Sequence, residues 1–164
     1  MAQISLGGTP VRTVGELPVI GSHAPEFTLT DGNLGPLSSE QFRGTPLLLN
    51  IFPSVDTPVC GTSVRTFNEH AAASGLSVLC VSMDLPFAQQ RFCAANGLEN
   101  VTAASAFRDT FGDAYGVTMT DGPMAGLLAR AVVVLDADGV VTYTELVPEI
   151  GSEPDYNAAL SAMR

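Results

Sequence analysis

A buried strand that runs directly into a helix is the feature that most constrains the fold of this chain. Residues 47–52 (LLLNIF) are apolar almost throughout, which predicts a central strand covered on both faces. Thr57 is a good N-cap residue, and Pro58 suits the first helical position, where its missing N–H costs nothing. The helix that begins there is expected to stop at Gly75. This unit predicts that helices pack against a central sheet.

Strand and helix signals continue along the rest of the chain. Strands are predicted at residues 4–6, 11–14, 27–30, 47–52, 77–82, 101–104, 127–135 and 140–146. Helices or helical turns are predicted at residues 38–42, 58–74, 84–97, 107–112 and 154–163, and residues 116–126 form a loop. This order predicts an α/β fold, a thioredoxin-like three-layer sandwich with a mixed central sheet and an added N-terminal β-hairpin. Residues 1–164 are expected to form a single domain.

The charge of the chain narrows the classes of partner. Seven basic and seventeen acidic residues give a formal net charge of -10, which disfavours nucleic acid or an anionic membrane as a partner. No apolar run approaches the ~20 residues that span a bilayer. The first residues lack a basic segment followed by an apolar stretch, so no signal peptide is predicted and a cytoplasmic location is expected.

The position of Cys60 favours chemistry over packing. In open α/β sheets, sites lie at the carboxyl ends of the strands, and the strand at 47–52 leads to Cys60 at that edge. Cys60 would lie in the first turn of its helix, where unpaired N–H groups and the helix dipole favour a thiolate. Asp56 acts in the opposite direction, because a nearby negative charge disfavours the thiolate.

The other cysteines and the histidines suggest no metal site. Cys60, Cys80 and Cys93 are too far apart in sequence for a Cys-x-x-Cys pair, and with only His23 and His70 available a four-ligand zinc site is not expected. Cys80 lies inside the strand at 77–82 and is interpreted as core packing. Both histidines are expected at the surface.

Four residues carry a resemblance to a known family. Pro53, Thr57 and Cys60 match the Pro-x-x-x-Thr-x-x-Cys signature of peroxiredoxins, and Arg130 stands at a strand start, where that superfamily places its fourth active-site residue. The chain further resembles one branch, the bacterial thiol peroxidases, which are atypical 2-Cys peroxiredoxins. The segments that carry this resemblance are residues 54–60, 84–88, 91–93 and 121–123 and the N-terminal hairpin.

The resemblance implies a thiol-specific peroxidase that reduces hydrogen peroxide and organic hydroperoxides in antioxidant defence, without a cofactor. Cys60 would attack the peroxide and become a sulfenic acid. By resemblance, Cys93 of the same subunit resolves it as a Cys60–Cys93 disulfide, and thioredoxin reduces that disulfide. Arg130 would stabilise the thiolate and the departing oxygen, Thr57 would orient the peroxide, and Pro53 would limit the access of water.

Each of these residues also has a plainer structural interpretation. Arg130 could be a surface ion-pair residue, Thr57 a simple helix cap and Pro53 an ordinary loop proline. Cys93 could be a packed helix cysteine beside Phe92, and from the residues alone the two readings of Cys93 are equal. Cysteines in separate helices rarely meet the Cα separation that a disulfide needs, so the first turn around Cys60 and the helix of Cys93 are expected to loosen during turnover.

Two other functions fit parts of the same pattern. A thioredoxin-like disulfide exchanger would share the fold, although the expected Cys-x-x-Cys is missing. A non-enzymatic redox sensor would pass its disulfide to a partner, and slow turnover would distinguish it from a peroxidase.

The resemblance also implies a homodimer with an interface near the active-site edge. The apolar residues in and after the loop at 116–126 support it, if they are exposed, and would favour bulky organic hydroperoxides over hydrogen peroxide. The alternative is that they cover the core of their own domain. These residues are Met119, Pro123, Met124, Leu127 and Leu128.

Overall fold

The computed structural model describes residues 1–163, which form nine strands, four α-helices and one short 3-10 helix. The strands are β1 (Gln3–Leu6), β2 (Thr9–Arg12), β3 (Thr28–Thr30), β4 (Pro36–Ser38), β5 (Leu47–Ile51), β6 (Ser77–Ser82), β7 (Thr102–Ser105), β8 (Ala131–Leu135) and β9 (Val141–Leu146). The helices are the 3-10 helix (Ser39–Phe42), α1 (Pro58–Ser74), α2 (Pro86–Asn96), α3 (Phe111–Ala114) and α4 (Tyr156–Ser161).

Seven strands form one mixed sheet in the order β4-β3-β7-β6-β5-β8-β9, and β1 pairs with β2 in a separate hairpin. The strands β5, β6 and β7 are parallel to one another, whereas β8 is antiparallel to β5. All five residues of β5 are buried, as a strand covered on both faces requires. The predicted mixed sheet and the added hairpin are therefore confirmed.

The sheet separates two hydrophobic clusters. Alternate residues of β5 point to opposite faces, so that Leu47, Leu49 and Ile51 join one cluster and Leu48 joins the other. The second cluster contains Cys60 and the buried face of α1. The first cluster contains residues of α3 and of the N-terminal hairpin. Cys60 thus lies in the layer between α1 and the sheet.

Local signals predicted the central elements well. The structure confirms the strands at 47–52 and 77–82, and α1 begins at Pro58 and is closed by Gly75 in the left-handed conformation, with φ of 68°. The helical turn after Ser38 is also confirmed, with the expected capping box between Ser38 and Gln41.

The helix predicted at residues 107–112 is wrong. The N–H of Asp109 donates to the carbonyl of Ala106 at 3.1 Å and closes a turn there. The helix α3 begins later, at Phe111, whose ring stacks on that of Tyr115 with 4.3 Å between the centroids. Burial of the two aromatic rings therefore sets the position of this helix.

The last helix is shorter than predicted. Asp155 caps its first turn by accepting a hydrogen bond from the N–H of Ala158. The helix α4 therefore starts at Tyr156, after the predicted residue 154, and it ends at Ser161. Among residues 1–163, no helix combines the length and the apolar character needed to cross a bilayer.

Candidate active site

Cys60 lies in the first turn of α1, at the carboxyl edge of the central strands. The chain leaves β5 at Ile51, passes through the loop at 52–57 and enters α1 at Pro58. The side chain of Cys60 is 0% exposed. The turn that carries Cys60 follows directly from the strand and cap signals in the sequence, and the prediction of its position is confirmed.

Arg130 contacts the sulfur of Cys60 directly. It immediately precedes β8, is 1% exposed, and its Nη2 donates to Cys60 Sγ at 3.1 Å. Its Nε donates to the carbonyl oxygen of Ile150 at 2.8 Å, which fixes the plane of the guanidinium. Burial at this position excludes the alternative of a surface ion-pair residue. Sequence reasoning missed Ile150, because the carbonyl of a distant loop leaves no signal in a pattern of residue types.

The third guanidinium nitrogen of Arg130 has no partner among residues 1–163. Within the part of the chain that the structure describes, the buried Nη1 makes no hydrogen bond. An unpartnered buried donor is costly, and charged donors in a site are well suited to an oxygen that gains negative charge. The same side chain can thus hold a thiolate through Nη2 and an oxygen of a bound molecule through Nη1.

Thr57 and Pro53 flank the same loop. Thr57 is the N-cap residue of α1, but its side chain makes no capping hydrogen bond. Its hydroxyl instead donates to the carbonyl of Ser54 at 3.0 Å. Pro53 is buried at the start of the loop. Thr57 therefore caps the helix through its backbone position, while its hydroxyl stabilises the loop.

Cys93 lies on a different helix from Cys60. It is half-buried in α2, packs against the same hydrophobic cluster, and both thiols are free. Burial raises the pKa of the Cys93 thiol above its ordinary value. Cys93 therefore packs against the hydrophobic cluster that contains Cys60, and the two thiols are not bonded to each other.

The two helices approach each other at Gly61. A Cβ placed on Gly61 would lie 3.3 Å from Cζ of Phe92, so the ring next to Cys93 packs over the residue next to Cys60. Only Pro86 and Gln89 of α2 are buried, whereas seven residues of α1 are. Few buried contacts mean a low cost of local opening, and α2 is accordingly the more easily opened of the two helices.

Cys80 is a core residue, as predicted. It is 1% exposed within β6, and Nδ2 of Asn50 lies 3.7 Å from its sulfur. Burial raises the pKa of Cys80 to about 12. A thiol protonated at neutral pH is a poor nucleophile. His23 and His70 are both exposed.

Asp84 lies at the edge of the site, and the sequence analysis placed it at a helix start and in the resembling segment 84–88 without assigning it a role. Its carboxylate accepts hydrogen bonds from the hydroxyl of Ser54 at 2.7 Å, from the N–H of Val55 at 2.9 Å and from the hydroxyl of Ser82 at 2.6 Å. It therefore joins the loop before Cys60 to the end of β6. An acidic residue just beyond a central strand, at the edge that carries the site, was the signal available in the sequence.

The loop at 116–126 does not offer the apolar surface that the sequence suggested. Met119 and Leu128 are each 1% exposed and belong to the core of their own chain. Met124 and Leu127 are partly buried and pack against that core, so Pro123 is the exposed member of the predicted group. The loop closes on itself, since the N–H of Met119 donates to the carbonyl of Leu127 at 2.9 Å and the N–H of Gly126 donates to the carbonyl of Met119 at 2.8 Å.

The chain is similar over its whole length to known proteins. Residues 20–160 match the Redoxin family. A thiol peroxidase of Mycobacterium tuberculosis is 72% identical over 163 residues, which cover 99% of each chain, and one of Corynebacterium glutamicum is 55% identical over 164 residues, again 99% of each. The crystal structure of a peroxiredoxin-like protein from Aquifex aeolicus superposes with a TM-score of 0.94 at 40% identity, covering 99% of this chain and 96% of that one.

Proposed function

This chain belongs to the redoxin family and is a peroxidase of the thiol peroxidase branch of peroxiredoxins, and from that premise we propose that it reduces hydrogen peroxide and organic hydroperoxides through Cys60, Cys93 and thioredoxin. The observation that carries the proposal is the buried contact of 3.1 Å between Arg130 Nη2 and Cys60 Sγ. A fixed positive charge at that distance stabilises the thiolate, which is the nucleophilic form.

In the first step, the Cys60 thiolate attacks one oxygen of the hydroperoxide. The S–O bond forms as the O–O bond breaks, Cys60 becomes a sulfenic acid, and the second oxygen leaves as an alkoxide or hydroxide that takes up a proton. The unpartnered Nη1 of Arg130 supports this step, because it can donate to an oxygen on which charge develops. Thr57 positions the peroxide by accepting a hydrogen bond from its O–H, since the Thr57 hydroxyl already donates to the Ser54 carbonyl, and the buried Pro53 restricts water at the sulfur.

In the second step, the Cys93 thiol attacks the sulfur of the sulfenic acid. The Cys60–Cys93 disulfide forms and water leaves. The small number of buried residues in α2 supports the local opening that this step needs. A thioredoxin dithiol then reduces the disulfide by exchange and returns both thiols. Such a cycle suits antioxidant defence in the reducing cytoplasm.

The enzyme acts as a homodimer formed near the active-site edge. Three exposed apolar side chains at this edge support it, in place of the loop at 116–126: Leu85 is 50% exposed, Phe87 62% and Phe107 36%. Leu85 and Phe87 adjoin Asp84, and the backbone of Phe107 is linked to Asp84 through the hydroxyl of Ser105. Exposed apolar residues of this size commonly mark an interaction surface. Residues 1–164 act as one domain within each subunit.

The direct test is a peroxide-consumption assay driven by thioredoxin and its reductase. Wild-type protein should turn over, and Cys60→Ser should abolish activity, because a serine hydroxyl has no activating base here. Cys80→Ser is the matched control, since it changes a buried core thiol and should retain turnover. Equal activity of wild type and Cys60→Ser would reject the proposal.

A further inference from the structure

The loop that precedes Cys60 is held by one carboxylate from outside the loop. Asp84 accepts from the Ser54 hydroxyl and the Val55 N–H, at 2.7 and 2.9 Å. Hydrogen bonds to an ionised acceptor are about twice as strong as neutral ones. These contacts span thirty and twenty-nine residues of sequence, so they join the loop to a distant segment of the chain at the end of β6.

A series of hydrogen bonds connects Asp84 to the helix cap beside Cys60. The Ser54 hydroxyl accepts from the N–H of Asp56 at 3.1 Å. The Ser54 carbonyl accepts from the backbone N–H and the hydroxyl of Thr57, at 3.2 and 3.0 Å. Because Thr57 is the N-cap residue of α1, a fixed Ser54 fixes the start of the turn that carries Cys60.

Asp84 itself is anchored on buried strand ends. The hydroxyl of Ser82 donates to its carboxylate, and the hydroxyl of Ser105 donates to its carbonyl. Gln89, which is buried in the first turns of α2, donates to Ser82 and to the carbonyl of Ala104, each at 3.0 Å. The anchor therefore lies on β6 and β7, and α2 starts two residues after Asp84.

We propose that Asp84 is a positioning residue that clamps the 53–57 loop in the conformation where Cys60 meets Arg130, and thereby sets how fast Cys60 is released to Cys93. This inference rests on the proposed function. A closed clamp preserves the peroxide-reactive geometry of Cys60 but delays disulfide formation, since the first turn of α1 must open for Cys60 to reach another helix.

The clamp would determine the fate of the sulfenic acid. If Cys60 is released, its sulfenic acid condenses with the Cys93 thiol to give the disulfide and water. If Cys60 stays clamped, a second hydroperoxide can transfer an oxygen atom to the sulfenic acid. The sulfenic acid then becomes the sulfinic acid, and the hydroperoxide is reduced to the alcohol or water. Asp84 would therefore influence the ratio of disulfide to sulfinic acid at a given peroxide concentration.

The test compares wild type, Asp84→Ala and Asp84→Asn by rapid quench, thiol capping and mass spectrometry, which follow sulfenic acid, disulfide and sulfinic acid separately. The chain contains no tryptophan, so a chemical readout is preferable to intrinsic fluorescence. In Asp84→Ala, disulfide formation should accelerate about tenfold, equivalent to about 1.4 kcal/mol. The first oxidation should stay equal or slow, and sulfinic acid should decrease.

The rate of disulfide formation in Asp84→Asn should lie between those of wild type and Asp84→Ala. The amide oxygen of Asn still accepts from the N–H of Val55, and its NH2 group can donate to the Ser54 hydroxyl. Ser54→Ala removes the hydrogen bond that the Ser54 hydroxyl donates to Asp84. Like Asp84→Ala, it should raise the ratio of disulfide to sulfinic acid. This variant also keeps the test available if Asp84→Ala does not fold. Tyr115→Phe is the control, since it removes one partly buried hydrogen bond, to the carbonyl of Pro25, at the opposite core cluster.

Unchanged or slower disulfide formation in the foldable variants, or the same shift in Tyr115→Phe, would overturn the assignment of Asp84. Failure of the proposed function would look different: wild-type Cys60 would form neither sulfenic acid nor disulfide with peroxide.

Discussion

The proposed role of Arg130 depends on how its three guanidinium nitrogens are hydrogen-bonded. One holds the Ile150 carbonyl, one holds the Cys60 sulfur, and Nη1 has no partner within residues 1–163. A planar guanidinium can make these contacts together in fixed directions, whereas an ammonium group cannot. The orientation of the Arg130 guanidinium is therefore as important to this site as its positive charge.

We predict that Arg130→Ala slows sulfenic acid formation. The expected loss is about 2–4 kcal/mol of transition-state stabilisation, or roughly 30- to 900-fold in rate. Arg130→Lys should recover only part of it, because it restores the charge without the fork. Competition of each variant with a reference peroxide scavenger measures this rate, and an unchanged rate in Arg130→Ala would assign the residue to structure alone.

At the scale of single residues, the sequence predicted the position of the reactive cysteine better than it predicted which side chains contact one another. Cys60 was placed correctly because the signals for its strand and for its helix cap lie directly before it, within residues 47–60. The contacts of Arg130 with Ile150 and of Asp84 with Ser54 join distant segments, and residue types along one chain carry no register for them. Resemblance to peroxiredoxins gave Arg130 a role, whereas it included Asp84 in the matching segment 84–88 without giving it one.

In the proposed cycle, α2 is the element that must open to deliver Cys93. It is closed at its C-terminus by Gly97 in the left-handed conformation, with φ of 63°, yet it buries only Pro86 and Gln89, both in its first half. The half that carries Cys93 is thus held mainly by the contact of Phe92 with Gly61 and by partly buried packing. This distribution favours opening from the end that carries the thiol.

Cys93→Ser should separate the two halves of the cycle. Cys60 should still be oxidised once by peroxide, but turnover with thioredoxin should fall and sulfinic acid should accumulate, because no nearby thiol condenses with the sulfenic acid. Cys93→Ala is a useful second variant, since it also removes the hydroxyl. Full thioredoxin-driven turnover in both variants would reject Cys93 as the resolving residue.

Elements with local signals were predicted, and elements set by distant partners were not. The strand β4 exists because Pro36–Ser38 pairs with β3, and its three residues show no strand pattern of their own. The position of α3 depends on burial of Phe111 against Tyr115 and Phe27, which only the assembled core supplies.

At the scale of the molecule, the exposed side chains Leu85, Phe87 and Phe107 define the expected dimer surface. We predict that Phe87→Asp shifts the reduced protein towards monomer in sedimentation at micromolar concentration, because a charge in an apolar interface loses its hydration. Val19→Asp is the matched control: Val19 is 74% exposed but lies near Val141, at the far end of β8 and β9 from Arg130. A monomeric wild type, or an equal shift in both variants, would contradict this surface.

At the scale of the molecule, we propose that Cys60 and Cys93 of one subunit form the catalytic disulfide. The direct measurement adds one equivalent of hydroperoxide to an equal mixture of reduced unlabelled and ¹⁵N-labelled protein, followed by capping, intact mass and peptide mapping. We predict that each chain loses two hydrogen atoms and that Cys60–Cys93 peptides carry a single label type. Cys80, whose pKa burial raises to about 12, should remain a capped thiol after unfolding. Unoxidised Cys60, a Cys60–Cys80 link or peptides of mixed label would exclude an intrasubunit Cys60–Cys93 disulfide.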